Sequence, residues 1–169
     1  MTRSPKPICR LHVSKHNMTG TGHAPKGESQ RAIALNPSSV DAHAGYGAAL
    51  LMMGRSEEAI AQLKRALELD PLSLSINWGL GVAFYFARQY DKAIDQKLKT
   101  LELDPNFILG YFHLGQAYVQ KSMYKEAVAE FEKTLAISPG NTLALGGLGY
   151  SYGVAGTLSR RVRAVPAQE

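Results

Sequence analysis

The sequence is poor in cysteine and tryptophan, with Cys9 and Trp78 as the single residues of each kind among 169. One cysteine cannot form an intramolecular disulfide, so we expect no disulfide framework and a reducing, cytoplasmic setting. Long apolar runs are absent as well. The two longest uncharged stretches, 71–87 and 134–159, contain polar residues or glycines and Pro139, so neither predicts a membrane-spanning helix.

Excess positive charge is missing from the middle of the chain. The formal net charge is +5, but residues 40–141 hold ten Lys and Arg against twelve Asp and Glu, a balance of −2 that leaves +7 for the two ends. A protein that binds nucleic acid needs Lys and Arg clustered on its folded surface. We therefore expect no nucleic acid and no membrane as partner, and we predict that the basic segments 1–27 and 157–169 are disordered.

Side chains that could catalyse a reaction or bind a metal are few and scattered. The N-terminal segment holds one cysteine and three histidines, Cys9, His12, His16 and His23. Their irregular spacing between prolines does not predict a metal site. His43 and His113 each lack a neighbouring nucleophile or orienting carboxylate in the pattern. We expect no catalytic residue, no metal, no cofactor and no enzyme activity.

Prolines recur with a constant spacing of 34 residues, at Pro37, Pro71, Pro105 and Pro139. Each proline follows an Ala- and Leu-rich segment and disfavours the continuation of a helix. A fixed period of this length is typical of stacked supersecondary units. We predict a repeat array over 28–156, with three full repeats of two helices at 40–73, 74–107 and 108–141. A half-repeat is predicted on either side, at 28–39 and 142–156.

A large residue followed by glycine recurs at one position of every repeat, as Tyr46-Gly47, Leu80-Gly81, Leu114-Gly115 and Leu148-Gly149. The missing side chain of the glycine allows a neighbouring helix to approach closely. Ile60, Leu63 and Leu67 follow the spacing of three and four residues that marks an amphipathic helix. Each repeat is therefore predicted to be a helix-turn-helix hairpin.

Together these residues resemble the tetratricopeptide repeat family over about residues 29–156. The resemblance implies an all-α fold, a right-handed superhelical solenoid of 34-residue helical hairpins, which binds a peptide or a partner helix in its inner groove. Lys97 stands where the family usually has Phe, Leu or Tyr, and Asn77 stands where an aromatic residue is common. We expect a locally softer repeat, with the stem of Lys97 in the core and its ammonium group in water.

In this family the inner groove is formed by the first helix of each repeat, and the resemblance implies an apolar groove here. The predicted groove residues are Leu51, Met52, Trp78, Val82, Tyr85, Phe86, Leu109, Phe112, Gln116, Val119 and Tyr150. No Lys, Arg or Asn stands among them, so we expect no charge-assisted binding of an acidic chain terminus. The sequence predicts a scaffold or adaptor that binds a protein, a peptide or an amphipathic helix through apolar contacts.

Two alternatives stay open. The chain can be the accessory region of a larger signalling enzyme or transcription regulator, with a kinase or winged-helix parent, whose other parts fill the groove; this rests on analogy of fold alone. The half-repeats also leave end faces without a packing partner. Self-association through these uncapped end helices is the other alternative.

Overall fold

The computed structural model describes residues 26–164, with side chains described over 27–156. All secondary-structure elements of this part of the chain are α-helices joined by short turns. Its helices are α1 Lys26–Leu35, α2 Val40–Met52, α3 Ser56–Leu69, α4 Leu74–Phe86, α5 Tyr90–Leu103, α6 Ile108–Gln120, α7 Tyr124–Ile137 and α8 Thr142–Ala164. Because α2, α4, α6 and α8 begin 34 residues apart, the predicted all-α array of 34-residue hairpins is confirmed.

Consecutive helices pack side by side into an array. The hairpins α2–α3, α4–α5 and α6–α7 stack on one another, with α1 against α2 and α8 against α7. The first helices of successive repeats also contact each other, α2 with α4, α4 with α6 and α6 with α8. The second helices α3, α5 and α7 make no such contacts with one another. The first helices therefore form the inner side of the curved array.

Each turn between a first and a second helix contains one residue in the left-handed backbone region. These residues are Gly54 at φ 72°, Arg88 at φ 58° and Ser122 at φ 60°. This conformation aims the next amide back at the last turn of the first helix, as in the 2.9 Å hydrogen bond from Arg55 N to the Leu50 carbonyl oxygen. The three hairpins thus share one turn geometry despite different side chains.

The fourth residue of α2, α4 and α6 contacts the preceding proline turn. The contacts are His43 Nε2 with the Pro37 carbonyl oxygen at 3.0 Å, Asn77 Nδ2 with that of Pro71 at 3.0 Å, and Tyr111 Oη with that of Pro105 at 2.9 Å. Asn77 is buried, and its Oδ1 accepts a 2.6 Å hydrogen bond from Gln96 Nε2. Asn77 therefore makes the turn contact that Tyr111 makes in the next repeat, and its buried amide is bonded at both ends.

The apolar core consists of two clusters with a polar region between them along the array. The first cluster joins α2 to α5 through Tyr46, Leu50, Ala59, Ile60, Leu63, Leu80, Ala83, Phe84 and Ala93. The second joins α6 to α8 through Phe112, Ala127, Phe131 and Ala144. Asn77, Gln96, Lys97 and Thr100 are buried polar residues of α4 and α5, and we call these four the polar layer.

The last helix is longer than predicted. A half-repeat ending at residue 156 and a disordered tail from 157 were expected, but α8 continues to Ala164. Leu, Val, Arg and Ala after residue 156 sustain a helix, and the next helix-breaking residue is Pro166. Residues 1–25 and 165–169, with the cysteine and three histidines of the N-terminal segment, lie outside the described part of the chain.

Candidate binding groove

Three clefts lie in a row on the inner side of the array, each between two successive first helices. The first cleft, of about 590 Å³, separates α2 from α4. The second, of about 300 Å³, separates α4 from α6, and the third, of about 160 Å³, separates α6 from α8. The first helices of successive repeats therefore form the walls of one segmented groove.

One side chain of a second helix forms the floor of each cleft. These floor residues are Leu63, Lys97 and Phe131, which stand 34 residues apart. The recurrent glycines make room for them: a Cβ atom would lie 2.7 Å from Leu63 Cγ at Gly47, 3.2 Å from Lys97 Cγ at Gly81 and 2.8 Å from Phe131 Cε1 at Gly115. The glycines thus bring each first helix down onto the floor residue of its own hairpin.

The first cleft is almost entirely apolar. Five predicted groove residues line it, Leu51, Met52, Trp78, Val82 and Phe86, and Ser75 is the one side chain with a hydroxyl group among its lining residues. Met52 is 67% exposed and Phe86 is 64% exposed. These two apolar side chains stand on opposite walls and have most of their surface in water.

The second cleft has a polar floor and a polar wall. Its lining is Val82, Tyr85 and Phe86 from α4, His113 and Gln116 from α6, and Lys97 from α5. His113 Nδ1 lies 2.9 Å from Gln116 Oε1, so this nitrogen donates a hydrogen bond to the amide oxygen. Burial lowers the pKa of His113, and the charge of Lys97 lowers it further. His113 is therefore the neutral imidazole, protonated at Nδ1, at neutral pH.

Lys97 is buried along its whole length. Its residue is 1% exposed, and no hydrogen-bond partner of its Nζ is found among the described residues. Burial lowers the pKa of Lys97 to about 8. The prediction that its ammonium group reaches water was wrong, because the residue lies in the middle of α5 and the helices α4 and α6 close over it. An atom at the Cβ position of Gly81 would be 3.6 Å from Nζ, so the stem lies under α4.

Family models described as tetratricopeptide repeat match the chain over residues 29–61, 49–106 and 108–141. The chain belongs to the tetratricopeptide repeat family. Membership and fold together make it a scaffold for interactions with other proteins. Comparison with curated proteins gives no match.

Solved structures of tetratricopeptide proteins have the same fold. That of MamA superposes with a TM-score of 0.74 at 25% identity, over 82% of this chain and 81% of MamA. YrrB, described as a TPR protein with an unusual peptide-binding site, gives 0.68 at 22% identity, over 77% of this chain and 67% of YrrB. The Arabidopsis OM64 TPR domain gives 0.65 at 20% identity, over 68% of this chain and 94% of that domain.

The other predicted groove residues of this tetratricopeptide array have different positions. Tyr85, Gln116, Val119 and Tyr150 line the third cleft. Leu109 is about half exposed and lines none of these three clefts. Phe112 has to be corrected as a groove residue, because it is only 8% exposed and packs in the second core cluster, with its ring centroid 6.0 Å from that of Phe131.

Sequence reasoning missed the residues that reach the groove from below. The pattern placed all groove residues on first helices, so Leu63, Phe131 and Lys97 of the second helices were not proposed. Their signal is the 34-residue spacing of large side chains opposite the recurrent glycines. His113 was weighed as an isolated histidine, and its place above Lys97 depends on how α6 packs on α5.

Histidine, cysteine and carboxylate side chains of the described residues do not form a site that competes with the groove. No group of three or more His, Cys, Asp or Glu that could hold a metal ion occurs among them. His43, weighed above as a lone histidine, is buried against Pro37 and Gln62. Within residues 26–164, no helix has the length and apolar character needed to cross a membrane.

Proposed function

We propose that this chain is an adaptor whose groove binds the apolar face of a partner peptide, with an amphipathic helix as the preferred form. The first cleft carries the proposal. It is a concave apolar site of about 590 Å³ between α2 and α4, with exposed apolar side chains on both walls. Contiguous exposed apolar surface on a folded protein is typical of a site for a partner.

Two side chains at this cleft, Met52 and Phe86, are suited to act as anchors for a partner. Met52 and Phe86 are mostly exposed in the free chain, so a partner that covers them removes apolar surface from water. Full burial of such a side chain contributes about 1.5–3 kcal/mol. Methionine also adapts its shape to different partners because its side chain is unbranched and flexible. A small interface with two such anchors agrees with micromolar affinity, about −8 kcal/mol.

The row of three clefts favours a helix over an irregular segment. An amphipathic helix presents apolar side chains on one face at spacings of three, four and seven residues, and it can place them in successive clefts. The first and third clefts have no charged side chain in their lining. The first cleft thus suits apolar side chains, the third is uncharged with glutamine and tyrosine side chains in its lining, and a charged side chain of the partner fits only in the middle.

Substitution of exposed residues inside and outside the groove tests the proposal. The test pair is Met52→Ala with Phe86→Ala, and the matched control is Met53→Ala with Leu72→Ala, also exposed but outside the cleft. Helical peptides selected from a displayed library on the full chain are titrated against both variants by fluorescence anisotropy. The test pair is expected to weaken binding about tenfold or more, as for central anchors. The control is expected to change binding less than twofold.

Equal binding by the test pair and the control would show that the groove is not the site. A library that yields no binding peptide would point to permanent occupation of the groove by another part of a longer protein, which is the accessory-region alternative. Circular dichroism of both variants has to match that of the parent, since loss of fold would abolish binding at any site.

A further inference from the structure

Lys97 is a buried charge without a partner within the described part of the chain. Lysine is rarely fully buried unless it is paired with an opposite charge. Here the lowered pKa of Lys97 is caused by burial, with no offsetting contribution from a carboxylate. Its ammonium group has three hydrogen-bond donors, and none finds an acceptor among the described residues. The floor of the second cleft is therefore a desolvated positive group that lies directly beneath the cleft and lines it.

A second unsatisfied donor lies next to this site. Trp78 Nε1 is buried and has no hydrogen-bond partner within the described residues. The Trp78 ring lies 6.0 Å, centroid to centroid, from the ring of His113, which lines the second cleft together with Lys97. Two buried donors at this part of the groove thus lack an acceptor among the described residues. A ligand group that complements it has to supply hydrogen-bond acceptors and negative charge.

The second cleft differs from its neighbours at two equivalent positions. The floors of the other clefts are Leu63 and Phe131, and glycines stand above them: a Cβ atom would be 3.7 Å from Leu63 Cδ2 at Gly79 and 2.6 Å from Phe131 Cζ at Gly147. In the second cleft the floor is lysine, and the position that corresponds to these glycines is His113. The second cleft therefore departs from the apolar pattern of the other two at two neighbouring positions, Lys97 and His113.

We propose that the second cleft binds the carboxylate of an acidic side chain, Glu or Asp, on the partner helix that occupies the groove. This inference rests on the proposed function. A single ammonium neutralises the single negative charge of a carboxylate, whereas a phosphate group carries about −1.5 to −2 and would leave buried negative charge uncompensated. Val82, Tyr85 and Phe86 supply apolar walls for the methylene groups of that side chain.

An internal side chain, rather than the end of a chain, is the expected source of the carboxylate. The first and third clefts flank the second on both sides, so a helix that fills the groove continues past Lys97 in both directions. The sequence predicted no charge-assisted binding in the groove because only residues of the first helices were included. Lys97 belongs to the second helix α5 and reaches the groove from below.

The site is tested first with small probes on the full chain labelled with ¹³C-lysine. The ε-methylene signal of Lys97, identified by its loss in Lys97→Met, is followed against pH with 4-phenylbutyrate or its uncharged amide. The acid is expected to raise the titration midpoint by one unit or more, which corresponds to about tenfold tighter binding to the charged lysine. The amide is expected to leave it unchanged. A midpoint that responds to neither probe, or equally to both, overturns the carboxylate site.

The source of the carboxylate is tested with peptides selected on the parent and on Lys97→Met. Two libraries are used. In one, each peptide has a free C-terminal carboxylate, and in the other both peptide ends are fused to a carrier protein, so that only side chains can supply a carboxylate. Parent-selected peptides of the fused library are expected to carry Glu or Asp at one fixed position among apolar residues, and this preference is expected to disappear with Lys97→Met. If binding peptides were obtained only from the library with free C-termini, the assignment of the carboxylate to a side chain would be overturned.

The two proposals fail in different ways. If peptides bind and lose affinity with the Met52→Ala, Phe86→Ala pair, but show no acidic preference, the groove stands and the carboxylate assignment is overturned. If the acid probe shifts Lys97 but no peptide binds, the adaptor function fails, and the assignment to a partner's side chain fails with it. Lys97→Met is expected to stay folded, since methionine fills a similar volume without a buried charge.

Discussion

A lysine at the floor of a helical hairpin loses the hydration of its ammonium group when neighbouring helices close over it. At the equivalent positions Leu63 and Phe131, the same burial removes apolar surface from water and stabilises the array. At Lys97 the stem makes such contacts with α4, while the buried charge opposes folding. A ligand that pairs with the buried ammonium group removes this penalty, and the free energy recovered in this way adds to the binding free energy of the ligand.

Replacing Lys97 by methionine is expected to stabilise the chain and to remove a pH dependence. The folded-state pKa of about 8 lies below the ordinary value of 10.5, so the unfolded chain binds the proton more tightly. The penalty is complete below pH 8, and stability rises with pH between about 8 and 10.5. Urea unfolding should show the parent gaining roughly 2 kcal/mol relative to Lys97→Met between pH 7 and 9.5. Parallel curves for the two proteins would contradict the buried charge.

Within each hairpin, the approach of the two helices depends on the glycine opposite the floor residue. The wall residues of the groove would stand farther from the floor if these glycines carried side chains, because a Cβ atom would overlap the floor residue in the first and third hairpins. In α8 the equivalent glycine, Gly149, has no atom within 4 Å of its Cβ position among the described residues. The same sequence signal therefore has a packing role only where a second helix covers it.

Two glycine-to-alanine substitutions in equivalent positions are expected to have opposite effects. Gly115→Ala should lower the free energy of unfolding by about 1–3 kcal/mol, because its Cβ would lie 2.8 Å from the Phe131 ring. Gly149→Ala should raise it by about 0.5–1 kcal/mol through better helix propensity without a clash. Chemical unfolding of both variants measures the difference. Equal effects would mean that helix propensity, and not the crossing of α6 and α7, decides the choice of glycine.

The helices and their pairing could be predicted from the sequence because local signals determine them. A proline follows the end of each second helix, and a large residue followed by glycine marks each first helix. The burial of Phe112 could not be predicted, because it depends on how α6 packs against α7 and α8. The depth of Lys97 depends on α6, which begins eleven residues later in the chain. Which cleft residues share a wall likewise depends on contacts between repeats.

Over the whole molecule, the polar layer divides the hydrophobic core into unequal parts. The larger cluster joins α2 to α5, and the smaller one joins α6 to α8. In a linear array each repeat is stabilised mainly by its neighbours, so a weak contact between repeats separates the chain into units that open independently. The two apolar clusters are separated by the polar layer with Lys97, under the middle of the groove, and we expect the array to divide there.

Hydrogen exchange is expected to show these two units. Amides of α3 and α4, which join the larger cluster, should exchange most slowly, while α6 and α7 should form a second, faster group. Amides of α1 should exchange first, because α1 packs only against α2. Mass spectrometry of peptic fragments measures the order of exchange. In Lys97→Met the exchange rates of the two groups are expected to become more similar. One uniform rate from α2 to α7 in the parent would contradict a divided core.

The floor residues give this architecture a simple route to new specificity. A floor side chain touches the ligand site from beneath, so its substitution changes the chemistry of one cleft while the visible wall of first helices stays the same. Two related arrays with identical inner-helix residues can then differ in their ligands through one codon in a second helix. An engineer who wishes to redirect such a groove can leave its surface untouched and vary positions 63, 97 and 131 alone.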